Sequence, residues 1–192
     1  MAPSQRPSAR DRLLRAAESV LFSRGIRATP VDDLLREADV SAATLYAQFG
    51  SKDGLLAEAL RRRLAGWQTI WDRHVVEAGD DTARLLALFD ALEAYRVGTH
   101  PPARWCAFLT TATEFPDPDG PVGEVLAADS ELLDRRLLHL SRPLAGDHAQ
   151  ELADEVALAY DGTLAAFLRG RPASAIDVGR RLARAAISAH RA

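Results

Sequence analysis

The stretch from Thr29 to Leu56, TPVDDLLREADVSAATLYAQFGSKDGLL, decides the fold of this chain. Thr29, Ser41 and Ser51 are residue types that begin helices, and the acidic pair after Pro30 suits the positive end of a helix dipole. The stretch therefore predicts two short helices joined by a tight turn, followed at once by a longer third helix. Such a layout is typical of domains that read DNA, because the major groove accepts a helix held in this way.

The middle helix of this stretch has an inner and an outer face. Leu45 and Phe49 are four residues apart, so both point inward. The outward side chains are candidates for contact with base edges and flanking phosphates, and these are Ala42, Ala43, Thr44, Tyr46, Ala47 and Gln48. Thr29 and Lys52, which lie at the starts of the neighbouring helices, are expected to contact the DNA backbone.

This segment resembles the amino-terminal domain of the tetracycline-repressor (TetR) family of transcriptional regulators. The most specific matching pieces are Ala38-Asp39-Val40-Ser41 at the turn, Thr44-Leu45-Tyr46-Ala47-Gln48-Phe49, and Ser51-Lys52. The chain has Asp39 where the family usually has Gly, Ala47 where a second aromatic residue is usual, and Gln48 where His is frequent. Asp tolerates a left-handed backbone better than most residues, so the turn is expected to form. The resemblance implies a DNA-binding domain over residues 8–66, with its helix-turn-helix motif at about 30–49.

Charge is distributed unevenly along the chain, whose formal net charge is −3. Residues 1–63 contain 11 Lys and Arg against 8 Asp and Glu, a net +3. Residues 64–192 contain 13 basic against 19 acidic residues, a net −6. A positive amino-terminal part favours a DNA contact there, because neutralisation of phosphates dominates affinity for the duplex.

Composition places the chain among ordinary globular proteins. Of its 192 residues, 47% are hydrophobic and 27% are charged. No apolar run is long enough to span a membrane, and the first ten residues lack the apolar segment of a secretory signal. The single Cys106 cannot form an internal disulfide. We therefore expect a cytoplasmic protein without a membrane contact, and the preference for Arg over Lys indicates a GC-rich bacterial genome.

Helical periodicity continues to the end of the chain and predicts an all-α fold of about nine helices. The fourth helix is expected to continue from Ser51 to about Glu77 as a rod of roughly 40 Å that links the two domains. The other helices are predicted at about 8–24, 81–97, 101–115, 121–140, 148–168 and 172–190. No strand pattern, repeat or low-complexity tract is present.

The carboxyl-terminal part is similar to a branch of the same family in which the sixth helix carries a Cys and closes with Glu-Phe-Pro-Asp. Here these residues are Cys106 and Glu114 to Asp117. The resemblance implies that residues 67–192 form a helical bundle that binds a small molecule and makes a homodimer through its last two long helices. The residues assigned to the dimer interface are Val156, Tyr160, Leu164, Phe167, Gly179, Leu182, Ala183 and Ala186.

Aromatic residues concentrate on helices four to six and predict an apolar or aromatic effector held by one or two polar groups. The candidate ligand-binding residues are Trp67, Trp71, Phe89, Trp105, Phe108, Leu109 and Thr113. The same residue types also suit the plain core of a helical bundle. Both interpretations stay open at the level of sequence.

Catalytic and metal-binding motifs are absent from the sequence. The histidines lack metal-ligand spacing, and there is neither a Gly-rich phosphate loop nor a Gly-x-Ser-x-Gly motif. We therefore expect no cofactor and no enzymatic activity. The sequence predicts a ligand-responsive repressor that binds a palindromic DNA operator as a homodimer. The alternative is an all-helical small-molecule-binding or interaction protein whose helix-turn-helix no longer reads DNA.

Overall fold

The computed structural model describes residues 7–98, 106–115, 119–171 and 174–190. These residues form α-helices and contain no strand, which confirms the predicted all-α class. The helices are α1 (Ala9–Arg24), α2 (Val31–Ala38), α3 (Ala42–Phe49), α4 (Lys52–Glu77), α5 (Asp81–Gly98), α6 (Ala107–Glu114), α7 (Gly120–Ala145), α8 (Ala149–Leu168) and α9 (Ala175–His190). A short 3-10 turn, Gly146–His148, precedes α8. Within the described ranges no helix combines the length and apolarity that crossing a membrane requires.

Two of the helix starts have the capping chemistry that the sequence predicts. The Ser41 hydroxyl accepts a hydrogen bond from the backbone N–H of Thr44 at 3.3 Å. The Ser51 hydroxyl accepts one from the N–H of Gly54 at 2.9 Å. Each bond satisfies an N–H group that has no partner within its own helix, so α3 and α4 begin where expected.

Thr29 does not cap α2, and that prediction is wrong. Pro30 occupies the position before the helix, with φ −64°, and provides no side-chain cap. The Thr29 hydroxyl instead donates a hydrogen bond to the carbonyl oxygen of Gly25 at 2.7 Å, and the residue is 2% exposed. The α1–α2 loop folds back on itself and offers this carbonyl, which sequence spacing does not reveal.

The residues group into two compact units. The first unit comprises the chain up to Arg63 together with the range Pro101–Leu126, and the second comprises Leu64–His100 and Ala127–Ala192. The first division lies close to the predicted boundary at residue 66. However, α6 and the first turns of α7 belong with the helix-turn-helix, although more than forty residues separate them from it in sequence.

The first unit has a single apolar core. Fully buried leucines from α1 to α4 meet residues of α6 and α7 in this core, which includes Leu13, Leu21, Leu34, Leu45, Leu56, Ala107, Val122 and Val125. Burial of each leucine stabilises the fold by about 1.5–3 kcal/mol. Because helices of eight residues are not stable alone in water, this core is what maintains α2 and α3.

Gly54 lets α4 begin directly behind α3. A Cβ atom at this position would collide with the backbone carbonyl oxygen of Phe49, the last residue of α3. Gly50, between the two helices, has φ +73° and donates its N–H to the carbonyl of Tyr46 at 2.9 Å. Two glycines thus fix the tight junction between α3 and α4.

Candidate functional site

The α3 helix is held by its inner face and leaves its outer face open. Leu45 is fully buried, and Phe49 packs against the core of the first unit. The outward residues predicted from sequence are exposed, apart from a half-exposed Thr44, and they are Ala42, Ala43, Tyr46, Ala47 and Gln48. Small side chains beside one Tyr and one Gln allow the helix backbone to come close to base edges.

The turn between α2 and α3 is fastened to α1. Asp39 has φ 52° and ψ 56°, the left-handed conformation that the sequence required of it. The Arg12 guanidinium donates hydrogen bonds to the carbonyl oxygens of Ala38 at 2.9 Å and Asp39 at 3.0 Å. Arg12 therefore fixes the turn that orients α3. Sequence reasoning missed this role because the partners are backbone atoms 26 and 27 residues away.

Lys52 makes two hydrogen bonds within the protein. Its ammonium donates to the carbonyl oxygens of Ile26 at 2.5 Å and Thr29 at 2.6 Å. Partial burial lowers the pKa of Lys52, and the nearby carboxylates of Asp53 and Glu114 oppose this change. An ammonium has three protons, so one is still available to a phosphate oxygen. The predicted DNA contact of Lys52 therefore stays a prediction.

Two basic residues of the first unit are exposed near α2, and the buried Thr29 lies just before that helix. Arg24 and Arg36 both pair with Asp33, at 3.7 and 2.8 Å, and keep most of their side chains in solvent. Thr29 was predicted to contact the DNA backbone, yet its side chain is buried and its hydroxyl is occupied. A buried hydroxyl offers no donor to a phosphate, so we exclude Thr29 from the candidate DNA-reading surface.

Trp67 is the centre of an aromatic cluster in the second unit. Its ring centroid lies 5.7 Å from that of Trp71, 5.8 Å from that of Tyr95 and 6.1 Å from that of Tyr160. Tyr160, which the sequence assigned to the dimer interface, joins this aromatic cluster. The Arg136 guanidinium lies 4.4 Å from the centroid of the Trp71 ring. We call Trp67, Trp71, Tyr95 and Tyr160 the aromatic cluster.

The other predicted effector residues that the structure describes are divided between the two units. Phe89 is fully buried in the second unit, where it faces Gly179. Phe108 packs against the core of the first unit. Leu109 is half-buried, while Thr113 is exposed and donates its hydroxyl to the Thr110 carbonyl at 2.8 Å. Trp105 lies outside the described residues. The apolar character of Phe89 and Phe108 correctly predicted that they pack inside the protein, but it did not show which of the two units each one packs in.

Several buried polar atoms of the second unit have no hydrogen-bond partner within the described protein. Three of them are Nε1 of Trp71, Nε2 of His74 and the hydroxyl of Ser141. Such atoms are rare in folded proteins, because a buried polar group without a partner is costly. Sequence reasoning missed His74 and Ser141, since their burial depends on tertiary packing.

Asp129 of α7 is a partly buried carboxyl group in the second unit. Burial, which is the larger cause, and the nearby carboxylate of Asp161 together raise the pKa of Asp129 to about 7. The folded state therefore binds this proton more tightly than the unfolded chain does. Its stabilising effect is complete below the unfolded pKa near 4 and is lost as pH rises towards 7.

We expect Asp129→Asn to remove this pH dependence. Relative to the original protein, the variant should be more stable by about 1–2 kcal/mol at pH 8 and nearly unchanged at pH 4. Urea unfolding at both pH values measures the difference. Equal effects of the substitution at both pH values would contradict a raised pKa. Asp147→Asn, at an exposed position before α8, is the control.

The predicted dimer residues are mostly inside the second unit. Val156, Leu164, Phe167, Gly179 and Ala183 are buried, whereas Tyr160 and Ala186 are half-buried. Only Leu182 among the eight is exposed, at 56%. The large apolar residues that α8 and α9 do expose are Leu158, Leu168, Val178 and Leu182. We call these four the exposed apolar patch.

Comparison with known proteins is consistent with this geometry. The family model for bacterial regulatory proteins of the TetR family matches residues 13–59, which hold α1 to α3 and the first turns of α4. Residues 13–59 belong to the TetR family. The matched segment is thus characteristic of transcription regulators. No group of three or more potential metal ligands occurs among the described residues.

Individual relatives differ in how much of this chain they match. The transcriptional repressor KstR2 of Mycolicibacterium smegmatis is 35% identical over 95 residues, which is 47% of this chain and 46% of KstR2. The match thus spans about half the length of that relative. A TetR-family regulator from Streptomyces coelicolor shares the fold over 95% of both chains, with a TM-score of 0.86 and 23% identity. A regulator from Saccharomonospora viridis in complex with choline has a TM-score of 0.77 and 23% identity, over 94% of this chain and 95% of that one.

Proposed function

We propose that this TetR-family protein is a transcriptional repressor that binds a palindromic operator as a homodimer and leaves it when a small molecule binds. The observation that carries the proposal is the open outer face of α3, held on a buried Leu45 and capped by Ser41. The relative KstR2, whose similarity favours repression, is named a transcriptional repressor. The net charge of +3 over residues 1–63 favours attraction to the duplex.

Tyr46, Gln48 and Thr44 are the side chains we assign to base edges, with Ala42, Ala43 and Ala47 permitting close approach. Two copies of α3 are needed, because a palindromic operator presents two half-sites about 34–36 Å apart in successive major grooves. The exposed apolar patch supports dimerisation, since its side chains are without cover in the single chain. An isologous interface would bring the patch of one protomer against that of its partner.

The second unit supports binding of an apolar or aromatic effector. Its aromatic cluster offers ring faces, and the free polar atoms of Trp71, His74 and Ser141 offer hydrogen bonds. The Saccharomonospora viridis relative holds choline, so small-molecule binding occurs on this fold. An effector releases DNA only if it binds the two conformations with different affinity. By linkage, DNA must then weaken effector binding by the same factor.

Selection of bound fragments from the protein's own genome tests the proposal most directly. We expect recovery of a short inverted repeat, bound with an affinity that falls steeply with salt and exceeds that for random DNA by about 10³-fold or more. Salt-independent retention or the absence of any sequence preference would favour the alternative, in which the helix-turn-helix no longer reads DNA.

Lys52→Met is expected to have two separable effects. Loss of the hydrogen bonds to Ile26 and Thr29 should lower the free energy of unfolding by about 1–3 kcal/mol. Loss of a phosphate contact should also reduce the slope of log K against log salt by about one per monomer. Urea unfolding and DNA binding at several salt concentrations measure the two. An unchanged slope would leave Lys52 with the structural role alone.

A further inference from the structure

The residues that close α6 contact the loop between α1 and α2. Glu114 accepts two backbone hydrogen bonds, to Oε1 from Ile26 N–H at 3.1 Å and to Oε2 from Arg27 N–H at 2.7 Å. Phe115 lies under the Arg27 guanidinium, whose carbon is 5.1 Å from the ring centroid. The Glu-Phe pair at the end of α6 thus grips a loop that lies 87 and 88 residues earlier in the chain.

Lys52 holds the carbonyl groups of the same loop. Its ammonium donates to Ile26 and Thr29, while the Glu114 carboxylate accepts from Ile26 and Arg27. Two N–H groups of the loop therefore donate to the Glu114 carboxylate, and two of its carbonyl oxygens accept from the Lys52 ammonium. We call Glu114, Lys52 and residues 25–29 the loop clasp. Charge-assisted hydrogen bonds of this kind are roughly twice as strong as neutral ones.

The loop clasp lies where the orientation of the reading helix is set. Its loop leads directly into α2, and α2 leads through the Asp39 turn into α3. Gly25 donates the last helix-type hydrogen bond of α1, to the Leu21 carbonyl at 3.1 Å, and its φ of +102° turns the following loop residues away from helical backbone. Lys52 is the first residue of α4. The clasp thus connects α6, the entry to α2 and the start of α4 at one point.

We propose that Glu114 is a positioning residue for DNA reading. Through the two loop amides it fixes α2 and α3 on α1 and α4, so that the outer face of α3 is preformed for the major groove. A displacement of α6 that withdraws the carboxylate frees the loop and loosens α3. This inference rests on the proposed DNA-reading function and adds to it the residue through which α6 acts on the reader.

The test compares Glu114→Gln with Glu124→Gln. The first substitution keeps the size of the side chain but removes its charge and turns an N–H₂ group towards one of two N–H donors. Glu124 is also in the first unit, where it is exposed and pairs only with Arg61 in the contacts described, at 3.3 Å. We expect Glu114→Gln to speed hydrogen exchange of the Ile26 and Arg27 amides about tenfold or more, with Glu124→Gln unchanged.

Operator binding is the readout that a merely structural role would not move. We expect Glu114→Gln to weaken binding to the selected operator about tenfold, with an unchanged salt slope, since no phosphate contact is lost. Unchanged exchange, or faster exchange with unchanged operator affinity, would overturn the positioning role. Failure of the proposed function is distinguishable, because it would show as absence of specific binding by the original protein.

A second variant covers the case in which Glu114→Gln unfolds the first unit. Such unfolding would speed exchange throughout α1 and not only in the loop. Glu114→Asp keeps the charge but is shorter by one methylene group. We expect it to give intermediate loop exchange and intermediate operator affinity. If Glu114→Asp is no closer to the original protein than Glu114→Gln is, in both loop exchange and operator affinity, the role of the carboxylate is overturned.

Discussion

Gly179→Arg is expected to unfold the second unit. Gly179 lies where α9 meets α8 and α5, and a Cβ atom there would collide with the Thr163 hydroxyl and lie 2.7 Å from the Phe89 ring and 3.2 Å from the Ala159 carbonyl oxygen. The substitution adds both overpacking and an unpaired buried charge, so we expect a loss of about 4 kcal/mol or more. Because a domain is stable by only about 5–15 kcal/mol, this loss should remove a large part of the stability of the second unit and lower its melting temperature markedly.

Gly66→Arg is the matched control for this substitution. Gly66 lies in α4, is exposed, and has no atom within 4 Å of the site where its Cβ would lie. We expect a change within about 0.5 kcal/mol, measured for both variants by thermal unfolding followed by circular dichroism. A Gly179→Arg protein that is monomeric but melts like the original would contradict burial within the protomer and support an interface position.

Leu182→Arg is expected to split the dimer while leaving the protomer folded. Leu182 is exposed on α9 and forms part of the exposed apolar patch with Leu158, Leu168 and Val178. An Arg at this position would bury an unpaired charge in the proposed dimer interface. A monomer engages one half-site, so operator affinity should fall by about 10²-fold or more through lost avidity.

Val76→Arg is the control for the dimer prediction. Val76 is an exposed apolar residue near the end of α4, at 84% exposure, and is not in the patch. Light scattering at micromolar concentration should show that Val76→Arg is a dimer and Leu182→Arg a monomer. Operator titration should show full affinity for Val76→Arg and weak binding for Leu182→Arg. If the Leu182→Arg protein is a dimer with full operator affinity, the dimer interface does not lie at the exposed apolar patch.

Much of the reading domain could be predicted from residues close in sequence. Ser41 and Ser51 cap the helices that follow them, and Asp39 adopts the left-handed turn conformation. The spacing of Leu45 and Phe49 correctly placed the outer face of α3. These features depend on hydrogen bonds and side-chain directions within a few residues, which the local sequence specifies.

Contacts between distant segments were not predictable in this way. Arg12 holds the α2–α3 turn, and Glu114 and Lys52 hold the α1–α2 loop, through bonds to backbone atoms. Backbone carbonyls and amides are the same at every residue, so no residue type signals the partner. The cap predicted at Thr29 was wrong for a related reason, because its hydroxyl found the Gly25 carbonyl.

By itself, the sequence determined the helices, their apolar faces and the family of the amino-terminal domain. An apolar stripe shows that a face is buried, but it does not show what buries it. The tertiary structure decided that Val156 and Gly179 pack within one protomer, that Phe108 joins the core of the first unit, and that Leu158 and Leu182 remain exposed. Burial depends on apolar area and not on which segment covers it, so only the packed chain could separate core from surface.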